Sequence, residues 1–145
     1  MLNKQQFREL IGKTLVRYEL ESPAAVNLLL GTAAQESAFG TYLRQVKGPA
    51  LGIFQMEPAT FDWMKSKYAE KYDFQNRYPD DMVWDLRLAI LLCRLRYLVV
   101  SEPLPPAGDI DALAKYWKKH YNTEKGKGTE AQFIANYRKY VQGIA

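Results

Sequence analysis

Glu36 is the residue whose type and setting best suit chemistry. It ends an Ala- and Leu-rich run that opens with Ser22-Pro23, a helix N-cap followed by proline at the first helical position, and this predicts a helix to about residue 36. At the C-terminal end of so apolar a helix, the partial negative charge of the backbone and the loss of water both disfavour an ionised carboxylate. A raised pKa is the expected consequence. A carboxylic acid that keeps its proton near neutral pH suits cleavage of a glycosidic bond, whose departing oxygen must be protonated as the bond breaks. Beyond it, Gly40, Gly48, Pro49 and Gly52 replace helical periodicity. They predict an irregular loop or small hairpin around residues 40–55, where glycine lets the backbone approach a bulky sugar chain.

Other chemistries find little purchase. The one histidine, His120, follows two lysines and is expected to be exposed, and it has no second His or Cys at ligand spacing. No Walker pattern and no histidine beside a motif serine or cysteine is present, so neither a metal, a cofactor nor a nucleophilic triad is expected. Cys93, the one cysteine, sits in an apolar run and reads as a small buried hydrophobe. The net charge of +4 suits a polyanionic partner, but the arginines are spread through an apolar helix instead of clustering on a recognition helix, which argues against nucleic acid.

The elements that must hold Glu36 are helical. Phe7, Leu10, Ile11, Leu15 and Tyr18 follow a helical period over residues 3–20, with Asn3 and Gln6 placed as a capping box. Pro58 starts another helix, with Phe61, Met64 and Tyr68 on one side. Asp80 or Asp81 is placed to cap a long helix to about Val100; Asp85, Arg87, Arg94 and Arg96 within it mark a core helix and no membrane insertion. Asp109 opens a helix through Trp117, and Thr129 with Gln132 forms a capping box for the last one. Six helices, no sheet and one domain over residues 1–145 are expected, a mainly α fold.

The dipeptide Glu36-Ser37, the aromatic Phe39, then Gly52-Ile53-Phe54-Gln55 followed by Pro58, resembles the catalytic core of the soluble lytic transglycosylase and goose-type lysozyme superfamily. The resemblance implies a single-domain, lysozyme-like helical fold that cleaves peptidoglycan glycan strands between N-acetylmuramic acid and N-acetylglucosamine. It implies Glu36 as general acid, and Ser37, Phe54 and Gln55 beside the substrate. Two registers compete for the family's Tyr-Asn pair: Tyr116 matches by helix context, with Trp117 in place of asparagine, whereas Tyr121-Asn122 restores the dipeptide in a loop and fits better. In either, a tyrosine hydroxyl is available to the acid or to an acetamido group. Val46 and Pro49-Ala50 depart from the serine and Gly-Ala common in the family's loop.

Glu57 matches the goose-type pattern of a second carboxylate and bears on mechanism. With Glu36 alone, the muramoyl 6-hydroxyl closes a 1,6-anhydro ring. With Glu57 as base, water attacks instead, a route that needs the carboxylates roughly 6.5–9.5 Å apart. Glu57 is equally placed to cap the helix at Pro58. No signal peptide is visible, and the stretch from Tyr121 to Gly128 is similar to bacteriophage lysozyme-like proteins. The implied setting is a phage virion, possible contact with other virion proteins included, or a host cytoplasm with delivery to the periplasm and cell wall. The rival reading is a structural virion or secretion-apparatus component that keeps the fold with a decayed cleft.

Overall fold

A run that is apolar on every side must be buried on every side. In the computed structural model, which describes residues 1–143, that run is α2 (Pro23–Ser37). Ser22 caps it by accepting from the Ala25 N–H at 3.1 Å, and Pro23 fills the first position. Ala25, Leu28, Leu29, Leu30, Ala33 and Ala34 are all sealed in the core. Around α2 lie α1 (Lys4–Arg17), α5 (Leu86–Leu98), α6 (Ile110–Trp117) and α7 (Glu130–Asn136). The helices α3 (Pro58–Tyr72) and α4 (Asp81–Trp84) flank α5. The fold is mainly α, with seven α-helices among the described residues.

The caps follow the sequence, with exceptions. Asp109 accepts from the Ala112 N–H, and Thr129 and Gln132 form the full capping box. Asn3 accepts from the N–H groups of Gln5 and Gln6, without the reciprocal bond from Gln6 that a capping box requires. The single long helix expected from Asp80 or Asp81 to Val100 is broken. Asp85 takes an extended conformation and caps α5 through the Leu88 N–H at 3.1 Å, leaving Asp81–Trp84 as a separate turn. Arg77 spans this joint, reaching both Asp81 (3.4 Å) and Asp85 (2.6 Å). Helices α6 and α7 each run on into a π-helical turn, Lys118–Asn122 and Tyr137–Val141.

The region 40–55 forms no strand. Isolated antiparallel bridges join Leu51 to Arg44 and to Met56, so the expected hairpin is reduced to single rungs. Gly52 is required here on two counts: its φ is +81°, and a β-carbon would lie 2.5 Å from the Met82 carbonyl oxygen. The loop is thereby seated on α4. His120, expected to be exposed, is half-buried and pairs with Glu102 at 3.1 Å. Cys93 is fully buried. No helix is long and apolar enough to cross a membrane among the described residues.

Two glycines make opposite predictions. A β-carbon on Gly31 would stand 2.4 Å from the Phe133 ring, which is wholly buried, whereas one on Gly12 would meet nothing within 4 Å. Gly31→Ala is expected to lower stability by about 1–3 kcal/mol through overpacking. Gly12→Ala is expected to raise it by about 0.5–1 kcal/mol through helix propensity. Urea unfolding midpoints of the two variants decide both; a stabilised Gly31→Ala would show that the α2–α7 contact yields more easily than the packing implies.

Candidate active site

The last turn of α2 carries Glu36 to the edge of the core, and the chain then leaves the helix by an unusual path. Ala38, Phe39 and Gly40 are successively left-handed, with φ of +48°, +57° and +86°. Left-handed conformations cost a non-glycine residue about 1 kcal/mol each, so something must hold them. Ser37 does: its hydroxyl donates to the Ala33 carbonyl at 3.1 Å and accepts from the Gly40 N–H at 2.9 Å. It is completely buried. Ser37 therefore shapes the exit beneath the site, and the expected contact of its side chain with substrate is not available.

The Glu36 carboxyl is half-buried. The Trp117 indole N–H, projecting from the fully buried end of α6, donates to Glu36 Oε2 at 3.0 Å. Burial pushes the pKa of Glu36 up to about 7, and the Trp117 hydrogen bond offsets part of that rise. No Lys, Arg or His forms an ion pair with it among the described residues. The donor also distinguishes the two oxygens. Oε2 accepts the indole proton, so the acid's own proton belongs on Oε1.

Glu36 opens into a groove of about 500 Å³ that is also lined by Gln45, Gln55, Glu57, Tyr121 and Asn122. Gln55 is left-handed at φ +51°, and both its N–H (3.0 Å) and its Nε2 (2.9 Å) donate to the Gly52 carbonyl. Glu57 occupies the N-cap of α3, yet its side chain makes no capping bond and is exposed. Its carboxylate faces the groove instead of serving the helix. Tyr121 donates to the Phe54 carbonyl at 2.7 Å, and its ring stacks on Tyr97 at 5.3 Å. The Asn122 amide oxygen accepts from Lys118 Nζ at 2.6 Å. That ammonium also holds the Gly126 carbonyl at 3.1 Å, which folds residues 122–126 along the groove.

Of the residues singled out in the sequence, Glu36, Gln55, Glu57, Tyr121 and Asn122 share this groove. Three do not. Ser37 is interior, as described. The Phe54 ring is buried against Phe7 at 6.3 Å, and only its backbone serves the site. Tyr116 donates to the Glu102 carbonyl at 2.9 Å and lines a different surface hollow beside Pro103 and Pro105, so of the two tyrosines only Tyr121 borders the groove. The tyrosine hydroxyl expected near the acid is committed to Phe54; an indole contacts the acid in its place. Trp117 read as a departure from a motif, yet a buried indole N–H needs an acceptor, and the acid at the end of α2, remote in sequence, supplies it. Gln45, Lys125 and Lys127, also on the groove, carry no signal at the level of the sequence.

The raised pKa is also a statement about stability. Between the ordinary glutamate value of 4.5 and about 7, the folded protein holds a proton that the unfolded chain has released, so stability falls as pH rises through this window and levels off above it. The cost above neutrality is about 3 kcal/mol. Glu36→Gln removes it. The variant is expected to be more stable than wild type at pH 8 and nearly equal to it at pH 4, as read from urea unfolding at the two pH values; a difference independent of pH would mean that Glu36 titrates normally.

Compared with protein-family models, with curated proteins and with solved structures, the chain matches none.

Proposed function

We propose that this chain is a lysozyme-like glycosidase that cuts the β-1,4 bond between N-acetylmuramic acid and N-acetylglucosamine in peptidoglycan, with Glu36 as general acid. The observation that carries the reading is a carboxyl group with a pKa of about 7, half-buried and oriented by an indole, that opens on a groove fit for an extended polymer. The general acid must be protonated before the reaction and able to lose its proton during it, and a pKa near the working pH meets both demands.

The chemistry follows from the two oxygens. Oε1 gives its proton to the glycosidic oxygen as the C1–O bond breaks, and positive charge develops at C1 and the ring oxygen. The departing sugar leaves with the proton, and Glu36 becomes a carboxylate steadied by the Trp117 N–H. Glu57, exposed in the same groove and unengaged by the helix it begins, is available to take a proton from water as the water's oxygen bonds to C1. This gives a reducing end. If Glu57 took no part, the muramoyl 6-hydroxyl would attack C1 while Glu36 recovered its proton, giving a 1,6-anhydro end. The free carboxylate of Glu57 favours hydrolysis.

A positively charged protein is drawn to an anionic wall, and delivery from a phage virion or through a host membrane is part of this reading. Incubation with purified sacculi, followed by mass spectrometry of the soluble muropeptides, is the test. Glu36→Gln is expected to release products at least about 100-fold more slowly than wild type. Equal inactivity of the two proteins would turn the assignment to the structural virion or secretion component. Glu57→Gln is expected to abolish reducing-end products by a similar factor of at least about 100; undiminished hydrolysis would remove Glu57 from the mechanism, and anhydro products from wild type would select the intramolecular route.

A further inference from the structure

We infer that the pocket adjoining the catalytic groove is a carboxylate subsite that reads the peptide stem borne by a muramoyl residue, with Arg96 as its anchor. The inference rests on the glycan-cleaving reading above. The pocket has a volume of about 180 Å³ and shares Gln55, Glu57, Tyr121 and Asn122 with the groove, so its occupant is continuous with whatever chain lies beside Glu36.

Arg96 is singled out by what it lacks. The other half-buried arginines have partners: Arg77 pairs with Asp81 and Asp85, and Arg94 donates to the Leu20 carbonyl at 3.0 Å. Arg96 is half-buried in the wall of this pocket and donates to no acceptor among the described residues. A guanidinium at a pocket wall with no protein acceptor keeps its donors free for a ligand. Its planar fork of donors matches a carboxylate in two-pronged geometry. Glu57 is the pocket's one acid, and no ion pair joins it to Arg96, so the cation stays unneutralised. Lys125 and Lys127 on the neighbouring groove wall keep the local balance positive. The remaining walls offer polar groups suited to a peptide: Thr60, Asn122 and Thr123, the last held at φ +69°. A bare chain of N-acetylated sugars carries nothing that answers a guanidinium except its lactyl carboxylate, whereas the stem peptide presents several free carboxylates.

The test compares glycan strands that keep their stems with the same strands stripped by an amidase and methyl-esterified at the lactyl carboxylate that stripping frees, using wild type, Arg96→Gln and Arg96→Lys. Wild type is expected to show a kcat/KM about tenfold or more higher on stem-bearing strands, the worth of one charged hydrogen-bonded pair. Arg96→Gln is expected to lose that advantage and keep its rate on stripped strands; Arg96→Lys, which keeps the charge and loses the fork, falls between. Equal loss on both substrates, or a shifted alkaline limb of the pH profile in Arg96→Gln, would overturn the proposal by assigning Arg96 to the fold or to the proton on Glu36. Calorimetric titration of a soluble stem-bearing disaccharide-peptide into the Glu36→Gln protein, with and without Arg96→Gln, adds a readout free of catalysis. Binding that depends on Arg96 without any cleavage by wild type would sink the glycosidase reading alone. Cleavage of both strands at equal rates, with binding indifferent to Arg96, would sink the subsite alone.

Discussion

An acid at the end of a helix enclosed by the core over most of its length is the constraint on which the rest of this molecule turns. Because α2 is enclosed by α1, α5, α6 and α7, the carboxyl at its last turn keeps little water and finds no cation, and its one hydrogen-bond partner is the indole of Trp117. Desolvation raises the pKa, the indole limits the rise, and the balance lies near neutrality. The left-handed exit at Ala38 to Gly40, locked by Ser37, then turns the chain away so that the carboxyl opens on a groove instead of being sealed over. Local strain and an unfavourable charge are thus gathered within a few residues. A core of large, fully buried side chains such as Phe7, Phe61, Tyr97 and Phe133 sustains both.

Much of the scaffold was legible because helix starts are written in short-range chemistry. Ser22-Pro23, Asp109 and Thr129 with Gln132 each satisfy their own N–H groups, and a reader needs only those residues to see it. The raised acidity of Glu36 was legible for the same reason, since the apolar run before it announces burial. What failed depended on contacts remote in sequence. The break at Asp85 is bridged by Arg77 from outside the helix, and no periodicity within 82–100 reveals it. Ser37 serves the site by locking the chain beneath it with its buried hydroxyl and Phe54 through its backbone carbonyl, so proximity in a motif overstated their reach into the groove.

The choice between Tyr116 and Tyr121 shows where sequence spacing stops being informative. In an unbroken α-helix the two residues lie on different faces, and which face meets α2 depends on the turn that joins them. Both rings pack on Tyr97, Tyr116 at 5.7 Å and Tyr121 at 5.3 Å, but their hydroxyls part: Tyr116 reaches the Glu102 carbonyl, and Tyr121, within the π-helical turn Lys118–Asn122, reaches the Phe54 carbonyl beside the groove. Such turns are frequent at functional sites, and nothing in the composition of Lys118-Lys119-His120 foretells one.

One side chain finally governs the far bank of the groove. Lys118 clasps Asn122 and Gly126 with a single ammonium and so ties these two positions to each other at the end of α6. Trp117, the immediate neighbour of that lysine, is also the residue that touches the acid. One turn of chain therefore carries both the contact to the acid and the tie that shapes the opposite wall, so a change at Lys118 is felt at the two sides of the groove together.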